Sequence, residues 1–117
     1  MENSILRIYI SSTDKIGTDL LYELIVQKAK AYSISGATVY RGIMGYGPSS
    51  KHIHTSRFWE LTEKLPLVIE LIDTTEKINN FYDVIEEDFQ QLQKGCLITI
   101  EPIDIKLYKI GKKKIAD

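Results

Sequence analysis

The sequence predicts an α+β domain in which a four-stranded antiparallel sheet carries two helices on one face, in the chain order strand, helix, strand, strand, helix, strand. Three observations lead there. Residues 5–10 alternate apolar and polar side chains, the period of a half-buried strand. Two later stretches carry apolar stripes at helical spacing. A stretch around residue 69 is apolar nearly throughout, as an interior strand would be.

The elements follow in order. In the first strand Leu6, Ile8 and Ile10 share one side, and Arg7 and Tyr9 the other. Ser11-Ser12-Thr13-Asp14 interrupts the alternation. From Gly17 to Tyr32 the period turns helical: Leu20, Leu21, Leu24, Ile25, Ala29 and Tyr32 lie on one stripe. Thr18 or Asp19 is the expected N-cap. Gly36 is the expected left-handed residue past the helix end. Residues 37–44 begin with β-branched side chains and read as a strand running into a loop. That loop, 45–57, is rich in turn formers and is expected to be flexible.

Leu65 to Asp73 is the central strand, with Pro66 at its start. Thr74 or Thr75 caps the second helix, whose stripe is Ile78, Phe81, Tyr82, Ile85, Phe89 and Leu92. Lys94-Gly95 ends it. In the last segment Ile98 and Ile100 share one phase, while Ile103, Ile105 and Leu107 share the other. A bulge or bend at Glu101-Pro102, splitting a core strand from an accessory strand, accounts for the slip. Two βαβ units joined by a hairpin place both helices on one face. The other face then needs a cover, which points to a homo-oligomer.

The 117 residues suit a single domain spanning 1–117, with 111–117 as a C-terminal tail. Apolar residues make up 44% and charged residues 26%, enough for one core. The net charge of −1 gives no field for polyanions, so nucleic acid is not an expected partner. The one dense basic run, Lys112-Lys113-Lys114, reads as solvated tail. The single cysteine, Cys96, permits no intrachain disulfide and reads as a small apolar residue at a strand start. With no signal-peptide pattern and no apolar run of spanning length, a cytoplasmic location is expected.

The terminal run Gly95-Cys96-Leu97-Ile98-Thr99-Ile100-Glu101-Pro102-Ile103-Asp104-Ile105-Lys106-Leu107-Tyr108-Lys109-Ile110-Gly111 resembles the last strands of PII (GlnB-like) signalling proteins. Two further stretches, Thr13 to Glu23 and Gly36 to Gly47, are similar to an uncharacterised PII-like family, domain of unknown function 190. With Pro66-Leu67-Val68-Ile69-Glu70 the resemblance covers nearly the whole chain. It implies a homotrimer of ferredoxin-like βαββαβ subunits, with pockets for a small effector between subunits near the base of the loop. It also implies adenine-nucleotide ligands and a transporter or enzyme as partner. PII proteins carry a Gly- and Lys-rich phosphate loop between the second helix and the last strand; here only Gln93-Lys94-Gly95-Cys96 stands there. A smaller ligand such as adenosine monophosphate (AMP) fits that departure better than a triphosphate.

Several residues could carry binding. Gly45-Tyr46-Gly47-Pro48 would let backbone N–H groups approach an anion, with Arg41 and Lys51 to neutralise it. Taken alone it is also a plain hairpin loop, lacking the dinucleotide and Walker spacings. His52 and His54 alternate along an extended segment and could meet one metal, a phosphate or a base, or simply be solvated. Two ligands are too few for a tight zinc site unless neighbouring subunits add more. Asp14, Lys15 and Gly17 stand where a helix N-terminus could hold an anion, or where a cap is needed. Phe58 and Trp59 could stack on a base or anchor a subunit contact. Lys94 and Gly95 enter through the resemblance. No nucleophile elbow or triad spacing is present, and Glu86-Glu87 read as a solvated helix face, so an enzyme is not expected, an active site in the intersubunit cleft being the least favoured alternative. The expected function is a PII-like regulator that binds an adenine nucleotide between subunits. The alternative is a CutA-like trimeric divalent-metal-binding protein using His52 and His54.

Overall fold

The computed structural model describes residues 2–48, 53–55 and 64–112. Strand β1 (Asn3–Ser11) is followed by a small ribbon, β2 (Lys15–Ile16) and β3 (Asp19–Leu20), and by helix α1 (Leu21–Ala31). Strand β4 (Gly36–Arg41) leads to a second small ribbon, β5 (Met44–Gly45) and β6 (His54–Thr55). Then come β7 (Pro66–Thr74), α2 (Thr75–Gln91) and β8 (Leu97–Ile103). The four long strands form one antiparallel sheet in the order β4-β7-β1-β8. The fold is therefore the expected ferredoxin-like βαββαβ arrangement.

The core lies between the sheet and both helices. Leu6, Ile8 and Ile10 of β1 and Leu67, Ile69 and Leu71 of β7 form its floor. Leu21, Ile25 and Ala29 of α1 and Ile78, Phe81 and Ile85 of α2 close it from above. Each large apolar side chain buried this way contributes about 1.5–3 kcal/mol. As the interior position requires, Leu67, Ile69 and Leu71 on the helix side of β7 are buried, and the alternate residues are half-buried.

Local structure departs from the sequence reading in four places. First, α1 starts at Leu21, not Gly17, and no side chain caps it. The stretch before it is the β2–β3 hairpin, whose turn begins at Gly17 with φ +61°. A two-residue hairpin turn accepts positive φ at its first position, which glycine adopts without strain. The N–H of Leu21 donates instead to the carbonyl of Asp14, at 2.8 Å. Second, the left-handed residue after α1 is Ser33 (φ 63°), not Gly36. Ile34 N–H donates to Ala29 O and Ser33 N–H to Lys30 O, the paired bonds of a Schellman motif.

Third, β8 has no bulge. Its register with β1 runs unbroken from Leu97 opposite Tyr9 to Ile103 opposite Asn3. The apolar phase changes because Ile98 and Ile100 face the helices while Ile103 faces the opposite side. Pro102 is tolerated because β8 is an edge strand. Fourth, residues 104–112 continue as irregular chain, not as an accessory strand. The second helix is capped as expected: Thr74 Oγ1 accepts from Lys77 N–H at 3.2 Å.

The face of the sheet away from the helices carries Tyr9, Tyr40 and Leu97, all exposed, around the half-buried Val68. Beside them Arg7 bridges Glu70 at 3.0 Å and Glu101 at 2.5 Å. The guanidinium is held protonated even more firmly than usual, by its bond to Glu101 first and Glu70 second.

Two stability predictions follow from backbone geometry. Ser33→Gly removes a left-handed strain of about 1–2 kcal/mol, offset by about 0.5–1 kcal/mol of extra chain entropy. A rise in the urea midpoint at unchanged m-value is the expected result. At Gly42 an added Cβ would lie 2.8 Å from Pro66 Cγ and 3.3 Å from Pro66 O. Gly42→Ala is expected to lower stability by about 1–3 kcal/mol in the same measurement.

Candidate functional site

Three connections leave the sheet at one end because of its register. Ser11, the last residue of β1, pairs with Pro66, the first of β7. Arg41 at the end of β4 pairs with Leu67, so the long loop departs beside them. Leu97 at the start of β8 pairs with Tyr9, which brings the turn after α2 to the same end. A cleft of about 120 Å³ opens where these segments meet.

One wall of the cleft is Gly45, Tyr46, Gly47 and Pro48 from the loop. Lys94 and Gly95 from the turn after α2 also line it. Tyr9, Ile10 and Ser11 of β1 and Lys64 to Val68 at the start of β7 form the rest, with Asp14. The loop wall is built rather than trailing: Met44 pairs with Thr55 and Gly45 with His54. Gly42 N–H also donates to Pro66 O at 2.7 Å, which ties the start of the loop to β7.

The floor is held by a short hydrogen-bonded loop. Ser11 N–H donates to Asp14 Oδ2 at 2.9 Å, and Asp14 N–H donates back to Ser11 O at 3.1 Å. Ser12 N–H donates to Leu65 O at 2.8 Å, while Leu65 N–H donates to Ser12 Oγ at 2.9 Å. Asp14 is 3% exposed. Among the described residues, its Oδ1 and the Oγ of Ser11 are buried without a hydrogen-bond partner. A second cleft of about 380 Å³, lined by residues 13–17 and 91–94, shares Asp14 and Lys94 with the first.

Cys96 stands close by, half-buried against the core. Burial, and then the charge of Asp14, push its thiol up, so it is a poor nucleophile at neutral pH. Glu86 and Glu87 are exposed on α2.

Of the residues singled out from sequence, Gly45, Tyr46, Gly47, Lys94 and Gly95 line the cleft together. Arg41 is exposed at the end of β4 and is not among the lining residues. Lys51, His52, Phe58 and Trp59 lie outside the described residues, as does the side chain of His54. Asp14, Lys15 and Gly17 do not form a helix N-terminus; they belong to the β1–β2 turn and the β2–β3 hairpin. Among the described residues no three of His, Cys, Asp and Glu gather as metal ligands. No described helix is long and apolar enough to cross a membrane.

Tyr9, Ser11, Lys64 and Val68 were missed by sequence reasoning. Tyr9 and Val68 sit in strands where alternation marks only the side they face. Ser11 continues the polar phase of Arg7 and Tyr9, so the alternation gave it no signal of its own.

Comparison with known proteins places the chain. The UPF0166 protein MJ1524 of Methanocaldococcus jannaschii is 36% identical over 105 residues, covering 90% of this chain and 91% of that protein. In fold, the chain is similar to the PII-like protein TTHA0516 of Thermus thermophilus, at TM-score 0.58 and 18% identity over 87% of each chain. It is also similar to CPII bound to ADP and bicarbonate, from Thiomonas intermedia K12, at TM-score 0.56 and 12% identity, covering 88% of this chain and 89% of that one. At such identities these two likenesses speak for the fold alone. The family DUF190, described as Uncharacterized ACR, COG1993, matches residues 3–105, and with that span and the identity to the UPF0166 protein, this chain of PII-like fold belongs to it.

Proposed function

We propose that this protein is a PII-like regulator that binds an adenine nucleotide, AMP in preference to ATP, in the cleft at the base of the long loop. The observation that carries the reading is the convergence of Gly45–Pro48 with Lys94-Gly95 on one cleft. Glycine backbone and two lysines, Lys64 and Lys94, suit a phosphate; Tyr9 and Tyr46 suit a base. CPII, a protein of similar fold, is known bound to ADP. The turn Gln93-Lys94-Gly95-Cys96 is short and holds one lysine, which favours one phosphate over three.

The cleft is completed by a second copy of the chain in a homotrimer. At about 120 Å³ it falls below the roughly 300–1,000 Å³ usual for ligand sites. Its residues Tyr9 and Val68 also lie on the sheet face away from the helices, in the row that includes the exposed Leu97 and Tyr40. A subunit seated on that face would stand at the mouth of the cleft.

Occupancy then orders the loop 45–57 for a protein partner, a transporter or an enzyme, in the cytoplasm. The shift requires the ligand to bind the ordered loop better than the free one. Regulation, not catalysis, is the role proposed.

Two measurements test this. Analytical ultracentrifugation is expected to find a trimer, and a monomer would end the intersubunit site. In thermal-shift titrations AMP is expected to raise Tm by several degrees at saturation, since ligand at a hundredfold excess over Kd adds about 2.7 kcal/mol. ATP should add less and inorganic phosphate little. No shift with any adenine nucleotide would refute the reading. Stabilisation by zinc alone, lost in the His52→Ala/His54→Ala double variant, would favour the metal-binding alternative.

A further inference from the structure

The buried carboxylate of Asp14 asks for a donor that the described chain does not supply. Its Oδ2 is engaged by Ser11 N–H, but its Oδ1 accepts nothing, and the Oγ of Ser11, on the same cleft, is likewise unpartnered. Buried polar atoms are almost always paired, and a carboxylate oxygen left bare in a low-dielectric site is among the costlier exceptions. Both residues line the cleft, and Asp14 also faces the second one. Lys64 and Lys94 line the same cleft, yet neither donates to Oδ1. A carboxylate repels a phosphate and attracts N–H and O–H groups.

We propose that Asp14 Oδ1 and Ser11 Oγ form a recognition floor for a neutral hydrogen-bond donor on the nucleoside part of the ligand, a ribose hydroxyl or the exocyclic amine. This rests on the nucleotide reading above and sharpens it. The floor sets ligand polarity: the phosphate lies toward the lysines and the donor toward Asp14. It also selects among ligands, because a buried acceptor left unpaired disfavours any analogue lacking the donor.

Isothermal titration of the full chain with AMP, 2′-deoxy-AMP, 3′-deoxy-AMP and purine riboside monophosphate tests the assignment. Asp14→Asn is the main variant. Its amide oxygen can still accept from Ser11 N–H, while its NH₂ group presents a donor where the cleft had an acceptor. AMP affinity is expected to fall at least tenfold in Asp14→Asn and severalfold in Ser11→Ala. The ratio between wild type and variant should collapse toward one for a single analogue, and that analogue identifies the donor. Should Asp14→Asn fail to fold, the same analogue pattern in Ser11→Ala decides. Unchanged AMP affinity in the variants overturns the floor and leaves the nucleotide site standing. Equal losses for AMP and every analogue also overturn it, because they mark a structural role. Failure of AMP to bind the wild type overturns both.

Discussion

The interior position of β1, bonded along its length to β7 on one side and β8 on the other, is the constraint on which the rest depends. All nine residues of β1 have a partner in β7, and seven have one in β8. A slip of one residue in either pairing would turn Leu6, Ile8 and Ile10 away from the helices and empty the floor of the core. Register is therefore set by burial. The same register decides which connections meet at the end of the sheet, so the cleft is a consequence of core packing.

The cleft inherits its chemistry from where those connections begin. Pro66 opens β7 and needs no ladder donor, while its carbonyl receives Gly42 N–H and its ring limits what can stand at Gly42. The loop is thus anchored to the sheet at a point where a side chain would not fit. Asp14 is anchored from the other side, its carbonyl receiving the first N–H of α1 and its Oδ2 receiving Ser11 N–H. One residue thus bonds the end of the first strand and the start of the first helix, and lines the cleft.

The sheet face away from the helices combines apolar and charged groups in rows. Tyr40, Val68, Tyr9 and Leu97 follow one another across the four strands. The next row centres on Arg7, opposite Glu70 and diagonal to Glu101. Exposed, such ion pairs add little stability. Covered by another copy, the apolar row would supply burial, while the charged row would penalise mismatched seatings that leave a charge unpaired.

The sequence by itself determined the element order, the helix-facing residues and the class of the fold. Periodicity reports which side of an element is buried, and burial of apolar surface is the main force holding these elements together. The resemblance carried by residues 13–23 and 36–47 added the family. What only the tertiary structure decided lies where backbone geometry overrides local preference. Thr18 and Asp19 look like helix caps, but the chain folds them into a hairpin because the Asp14 carbonyl already serves the helix end. Gly36 looks like a helix stop, but Ser33 takes the left-handed position one residue past the cap. Pro102 looks like a break, but an edge strand absorbs it. The cleft was half legible: Gly45–Pro48 and Lys94-Gly95 stood out by residue type and resemblance. Tyr9 and Ser11 did not, because their role depends on which strand ends the register brings together, and no local pattern records that.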